Sequence, residues 1–220
     1  MSLKLFIFDC DGTLVDSQHT IVEGMEHAFG MHGLNPPTAD ATRSIIGLSL
    51  PEAIMKLAPE LSAGVNAALV QSYKDYVIAQ RASGGAIELL YDGAKDAIEA
   101  LAKEADILLG IATGKAYRGV LHLFESYDWH DLFVTVQTAD RAPSKPHPGM
   151  ILQAMEQTGV RPENTYMIGD TSYDMEMAIN AKVNPIGVSW GYHTSDVLRD
   201  SGAEHIVDDY PALHALLARL

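Results

Sequence analysis

The stretch FIFDCDGTLVDS, residues 6–17, carries an apolar segment directly into two aspartates, Asp9 and Asp11. Phe6, Ile7 and Phe8 favour extended backbone, so the segment reads as a buried strand that ends in carboxylates. Two carboxylates two residues apart repel each other and resist desolvation. Something else in the chain has to balance that charge.

Working outward, similar apolar runs recur: LKLFIF before Asp9, ILLGIA before Thr113, LFVTVQ before Thr138, TYMIG before Asp170 and NPIGVSW near Trp190. Each reads as a strand, and their near-continuous hydrophobicity predicts cover on both faces, as in a parallel sheet. Amphipathic segments alternate with them, among them GAKDAIEALAKEA (93–105) and HPGMILQAMEQTG (147–159), where Ile151, Ala154, Met155 and Thr158 fall at helical spacing. The pattern predicts an α/β fold, a doubly wound parallel sheet. Between Asp16 and Gly85 the rhythm changes. HTIVEGMEHAFGMHG, SLPEAIMKLAPELSA and VNAALVQSYKDYVIAQ all read as helical, with no strand between them. The expected organisation is a core of residues 1–15 and 86–220 with an all-helical cap, residues 16–85, inserted after the first strand. Gly84 and Gly85 at its exit suit either a hinge or a helix stop.

The chain has 220 residues and is 47% hydrophobic, enough for a sizeable core. Its 15 Lys and Arg against 29 Asp and Glu give a formal charge of −14, which disfavours nucleic acid and anionic membrane surfaces as partners. A single cysteine, Cys10, forms no internal disulfide and points to a reducing, cytoplasmic setting. The first apolar run is too short for a signal peptide or a membrane span.

In doubly wound sheets ligands bind beyond the carboxyl ends of the strands. The residues there are Asp9 and Asp11, Thr113 and Gly114, Lys145, and Asp170 and Asp174. Three carboxylates drawn together call for a hard divalent cation, and Mg²⁺ takes oxygen ligands, with Asp9 and Asp170 as candidates. A phosphate brought to such a site needs a fixed cation and neutral donors; Lys145 offers the first, Thr113 and the Gly114 amide the second. In GDTSYDM, Asp174 lies one turn beyond Asp170 if Thr171 opens a helix, where negative charge is favoured.

These motifs, in this order, closely resemble those of the haloacid dehalogenase-like hydrolase superfamily: DCDGT (Asp9 to Thr13), ATGK with Thr113, SKPHPG with Lys145, and GDTSYD with Asp170 and Asp174. The helical insertion resembles the family's small cap, and the tail VSWGYHTSDVLRDSGAEHIVDDYPAL resembles the phosphoglycolate phosphatase-like branch. The resemblance implies a Mg²⁺-dependent phosphatase of a small phosphorylated metabolite, phosphoglycolate-like, working through an aspartyl-phosphate on Asp9. It makes Asp11 the proton carrier, with its main-chain carbonyl a metal ligand beside Asp9 and Asp170. Lys145 would withdraw charge from the phosphoryl oxygens, Thr113 and Gly114 grip phosphate, and Asp174 supports the metal shell or positions Lys145. Asp11 also argues for phosphoryl transfer, because the family's dehalogenases lack an aspartate there.

Three other outcomes compete: a phosphomutase of the β-phosphoglucomutase type, a pyrophosphatase, and a non-catalytic phospho-acceptor module. Within the insertion, TRSIIGLSLPEAI resembles the stretch of related caps that reaches down over the site, which implies that Arg43 meets a substrate carboxylate or phosphate and that Gly47 permits close backbone approach, against the simpler reading of a surface arginine and a helix-ending glycine. Lys56 and Lys74 read as surface lysines, Cys10 as a buried structural thiol, and His147 as a residue shaping the Lys145 loop.

Overall fold

The computed structural model describes residues 3–84 and 88–220. Strand β1 (Lys4–Phe8) is followed by a two-residue strand β2 (Val15–Asp16) and by helices α1 (Gln18–Met31), α2 (Ala39–Arg43), α3 (Leu50–Leu57) and α4 (Ala63–Ala82). Strand β3 (Leu89–Leu90) then pairs antiparallel with β2, Val15 opposite Leu90 and Asp16 opposite Leu89, so the chain leaves the sheet and returns to it side by side. Strand and helix alternate from there: α5 (Ala94–Leu101), β4 (Ile107–Thr113), α6 (Tyr117–Tyr127), β5 (Phe133–Thr138), α7 (Gly149–Thr158), β6 (Thr165–Gly169), α8 (Ser172–Ala181), β7 (Asn184–Val188), α9 (Ser195–Asp200), β8 (His205–Val207) and α10 (Tyr210–Leu217).

Six strands form one parallel sheet in the order β5-β4-β1-β6-β7-β8, the doubly wound α/β arrangement that the sequence pattern predicts. Strand β1 lies inside it and shows why its sequence does not alternate. Leu5 and Ile7 pack with Met150 and Ile151 of α7 and Met177 of α8 on one face. Phe6, Phe8 and Cys10 pack with Ile98 of α5, Val120 of α6 and Leu213 of α10 on the other. Successive strand residues point to opposite faces, and here both faces are covered. Asp9 therefore follows Ile7 towards α7 and α8, while the Cys10 thiol is sealed into the opposite core.

Helices α1, α3 and α4, with the turn after α2, share a separate cluster that includes Met25, Phe29, Ile45, Ile54 and Leu69. Helix α3 and the short elements α2, β2, β3 and β8 depart from the sequence reading. Helix α3 stops at Leu57 instead of running through to Ala63, because Pro59 disfavours helical backbone at Ala58 and supplies no amide donor. Strand β8 was absent from the expected set; it has three residues, and only Val207 is buried. Gly84, at φ +74, follows the end of α4, its amide bonded to the Arg81 carbonyl, whereas Gly85 lies outside the described residues. Among the described residues no helix is long and apolar enough to cross a membrane.

Phe6 has no solvent exposure and sits under three helices. Phe6→Ala should therefore cost about 3–5 kcal/mol of unfolding free energy in a denaturant titration; a loss under about 1 kcal/mol would contradict the packing described.

Candidate active site

The sheet register assembles the site. Phe8 pairs with Ile111 on one side and Ile168 on the other. Thr113 stands two residues beyond Ile111 and Asp170 two beyond Ile168, so Asp9 emerges between them. Strand β1 is also where the winding reverses: the chain builds β4 and β5 on one side of it and β6, β7 and β8 on the other. Ligand sites of open α/β sheets form at such a switch point.

Asp9, Lys145, Asp170 and Asp174 are all fully buried there. Oδ1 of Asp9 accepts from the Cys10 amide at 2.7 Å and faces Nζ of Lys145 at 2.9 Å; its Oδ2 has no partner in the protein. Nζ of Lys145 also donates to Oδ1 of Asp174 at 2.6 Å. The other Asp174 oxygen closes the capping box of α8, accepting from the Thr171 amide at 3.1 Å and hydroxyl at 2.7 Å. Asp170 accepts from the Thr13 hydroxyl and from the Tyr192 amide, each at 2.9 Å. Only glycine fits beside it, since a Cβ on Gly12 or Gly191 would overlap the Asp170 carboxylate.

One oxygen from each of Asp9, Asp170 and Asp174 lies within 4.8 Å of the other two. With all three ionised, the carboxylates against one ammonium leave an excess of two negative charges, which a divalent cation would neutralise. The donors are all oxygens, which suits a hard ion. Asp9 alone has an unpartnered oxygen, Oδ2, to offer it; Asp170 accepts only from the neutral Thr13 and Tyr192 donors, whereas Asp174 is bound to the Lys145 ammonium. Burial pushes Asp9 up to about 7 against the pull of Lys145, with Asp174 and Asp11 adding to the rise. Burial, then Asp174 and Asp9, raise Asp170 well above the carboxylate range. Burial alone would discharge Lys145, but Asp174 and Asp9 outweigh it and hold the ammonium above the ordinary lysine value.

Asp11 is turned away from this cluster. Its Oδ1 accepts from the Ser17 hydroxyl at 2.6 Å and from Nζ of Lys115 at 2.7 Å. Lys115 also donates to Glu88 at 3.1 Å, and Glu88 accepts from Arg81 at 2.9 Å. Burial would raise Asp11, yet the Lys115 charge and the bonds from Lys115 and Ser17 win and hold it below the usual carboxylate value. Lys115, Glu88, Arg81 and Ser17 were not singled out by the sequence reading. Lys115 carried a usable signal, since it ends the ATGK motif two residues past a strand end; Glu88 and Arg81 carried none.

Thr113 is buried at the end of β4, its hydroxyl accepting from the Lys115 amide at 3.2 Å. A Cβ on Gly114 would stand 2.5 Å from the Leu48 carbonyl oxygen and 2.6 Å from that of Gly47, so the α2–α3 loop rests directly on the strand ends. Gly47 itself has φ +103, and a Cβ there would come within 3.1 Å of the Thr171 hydroxyl. The Ser49 amide donates to the Ser144 hydroxyl at 2.8 Å, tying the same loop to the segment that carries Lys145. Arg43 does not line the cavity over these residues: Asp40 holds it at 2.6 Å and Gln18 at 2.9 Å. Lys56 is exposed, as the sequence reading expects, and its Nζ donates to the Tyr173 hydroxyl at 2.7 Å. His147 accepts from the Gly149 amide at 3.0 Å and so shapes the Lys145 loop.

The family model for haloacid dehalogenase-like hydrolases matches residues 6–188. The chain belongs to that family. It is 36% identical to "Probable phosphatase IndB" of Dickeya dadantii, over 97% of this chain and 94% of that one. It is 29% identical to a phosphoglycolate phosphatase of Psychrobacter arcticus, over 97% of this chain and 95% of the relative. The crystal structure of a predicted phosphatase from Clostridium acetobutylicum superposes with a TM-score of 0.88 at 23% identity, covering all of both chains, which shows the shared fold.

The raised Asp9 has a consequence for stability. Its value of about 7 in the folded chain stands above the ordinary 3.8, so between those pH values the folded state holds a proton that the unfolded state has lost. Stability from this group is therefore lost as pH rises, and Asp170 acts in the same direction. In chelator the melting temperature should fall between about pH 5 and 7.5, and Asp9→Asn should flatten the fall. A melting temperature that rises across this window and is unaffected by Asp9→Asn would contradict the electrostatics of the site.

Proposed function

We propose that the protein is a Mg²⁺-dependent phosphatase that hydrolyses a small phosphomonoester through a phosphoryl group carried on Asp9. The observation that carries this reading is the Asp9 carboxylate, which has one oxygen fixed by Lys145 and Cys10 and the other without a partner, at the floor of a cavity lined by Thr113 and Gly114. Mg²⁺ held by Asp9, Asp170 and the Asp11 main-chain carbonyl would screen the approach of an anionic phosphate to an anionic nucleophile. Asp9 attacks phosphorus while Lys145, the Thr113 hydroxyl and the Gly114 amide take charge from the phosphoryl oxygens. Asp174 positions Lys145. Asp11 is ionised beside Lys115, so the proton for the leaving oxygen enters with the phosphate monoanion and Asp11 relays it. Asp11 then takes a proton from the water that cleaves the aspartyl-phosphate. Helices α1–α4, with the cap bounded at residues 16–85, exclude bulk water from these steps. Gly47 and Gly114 serve the closure by letting backbone meet backbone, and Arg43 shapes the cap instead of binding substrate. The natural substrate is a cytoplasmic phosphorylated metabolite, for which phosphoglycolate is the expectation from sequence.

Asp9→Asn should lower kcat by at least about 10³-fold, because an amide neither attacks nor neutralises the cation. The wild-type protein should release inorganic phosphate with Mg²⁺, lose that activity in EDTA and regain it on adding Mg²⁺ in excess. Full turnover by Asp9→Asn, or full activity in chelator, would overturn the proposal. An isomerised sugar phosphate without net phosphate release would establish a mutase instead.

A further inference from the structure

Between the carboxyl edge of the sheet and helices α1–α4 lies a cavity of about 510 Å³ whose floor includes Asp9, Asp11, Thr113 and Gly114. Its walls have a different chemistry. Ile21 of α1, Ile45 after α2, Leu50 of α3 and Tyr73, Val77 and Ile78 of α4 all line it. Helix α4 runs for 20 residues with Leu69 as its one fully buried side chain, and Ile78 remains 43% exposed. Tyr73 and Val77 are neighbours one turn apart on the helix, and Ile78 is the next position round from Val77. This helix therefore turns Val77 and Ile78 into the space above the phosphate site, beside Tyr73, whose ring lies against Gly24 of α1.

Each buried cation around the cavity already faces a carboxylate. Arg81 faces Glu88 at 2.9 Å, and Lys115 faces Asp11 at 2.7 Å and Glu88 at 3.1 Å. Lys145 is held by Asp9 and Asp174, and Arg43 lies outside the lining. Lys74 and Arg118, which do line it, are exposed to solvent. A short hydroxy acid such as glycolate places its carboxylate two carbons from the ester oxygen, beside the floor, where each buried cation already has a carboxylate partner. The volume lies in the range of about 300–1,000 Å³ found for sites that enclose drug-sized molecules, well beyond a two-carbon acid.

Resting on the phosphatase reading above, we propose that the leaving alcohol of the substrate has a bulky, largely apolar body that packs against α1, α3 and α4, and is not a short hydroxy acid. Burying apolar substrate against Tyr73, Val77 and Ile78 supplies binding energy away from the reacting phosphorus, which orients the ester oxygen towards Asp11. The same packing keeps water off Asp9 until the alcohol departs.

The test is steady-state phosphate release, with Mg²⁺, from phosphoglycolate, ethyl phosphate, n-butyl phosphate and 2-phenylethyl phosphate, with acetyl phosphate as a reactive reference. The alkyl esters release primary alcohols of similar basicity, so differences in kcat/KM among them report the pocket. Two added methylenes should raise kcat/KM about tenfold from ethyl to n-butyl phosphate, and 2-phenylethyl phosphate should exceed phosphoglycolate by at least about tenfold. Ile78→Asp, on the exposed face of α4, should lower the ratio of 2-phenylethyl phosphate to acetyl phosphate activity at least about fivefold, and Ile78→Leu should preserve it. Hydrolysis of acetyl phosphate with a flat alkyl series, or with phosphoglycolate preferred, would overturn this proposal and leave the phosphatase reading standing. No phosphate release from any of the esters or from acetyl phosphate would overturn both.

Discussion

A fully buried lysine ammonium between two fully buried carboxylates is the constraint around which the rest of the molecule is arranged. Lys145 reaches Asp9 at 2.9 Å and Asp174 at 2.6 Å with no solvent exposure. Removing one partner of such a group typically costs about 3–5 kcal/mol, because the remaining charge is left without compensation. Each partner is therefore pinned by the fold. Asp9 is fixed by β1 and the Cys10 amide, and Asp174 by the capping box of α8. With Asp170 added, the ionised cluster would carry an excess of negative charge that the protein relieves only by holding protons on Asp9 and Asp170, and a divalent cation would take their place.

The second carboxylate of the opening motif has an opposite environment. Asp9 is raised by burial among like charges, whereas Asp11 is lowered by Lys115 and Ser17. Pairs of acids whose surroundings push them apart are a recurring way to separate nucleophilic from proton-transfer duty. Unbroken extended backbone would put Asp9 and Asp11 on one face, but β1 ends at Phe8 and the Cys10 carbonyl takes the Thr13, Leu14 and Val15 amides, which turns the chain between them. The tight turn at Gly12, φ +90, then directs the chain to β2 and the helical segment and leaves room for Asp170.

Much of this was legible in the sequence, for physical reasons that differ by element. The strands of the sheet centre were readable because both their faces are buried, so LFIF and ILLGIA lack polar residues. The site residues were readable because polar groups at the ends of such runs have little other reason to be there. What escaped depends on distant partners or on very few residues. Strand β8 has three residues, and α2 has five, too few for a periodicity to show. The proline that ends α3 was visible in LAPEL, and its effect on the preceding backbone was the available signal. The run from Arg81 through Glu88 to Lys115 and Asp11 joins residues up to 104 positions apart, and no local pattern announces it. Arg43 was attractive for its charge and for its place in a stretch that resembles related caps; Asp40, three residues earlier on the same helix, takes that charge up.

The most direct test of the central claim is to catch the phosphoryl group on the protein. Turnover of a ³²P-labelled phosphomonoester with Mg²⁺ would be quenched in acid within milliseconds, the acyl-phosphate reduced with borohydride, and the peptides mapped by mass spectrometry. Transient labelling, with reduction converting residue 9 alone from aspartate to homoserine, is the result predicted. Steady turnover with no labelled protein, or label on a histidine or serine, would contradict a mechanism that passes through Asp9.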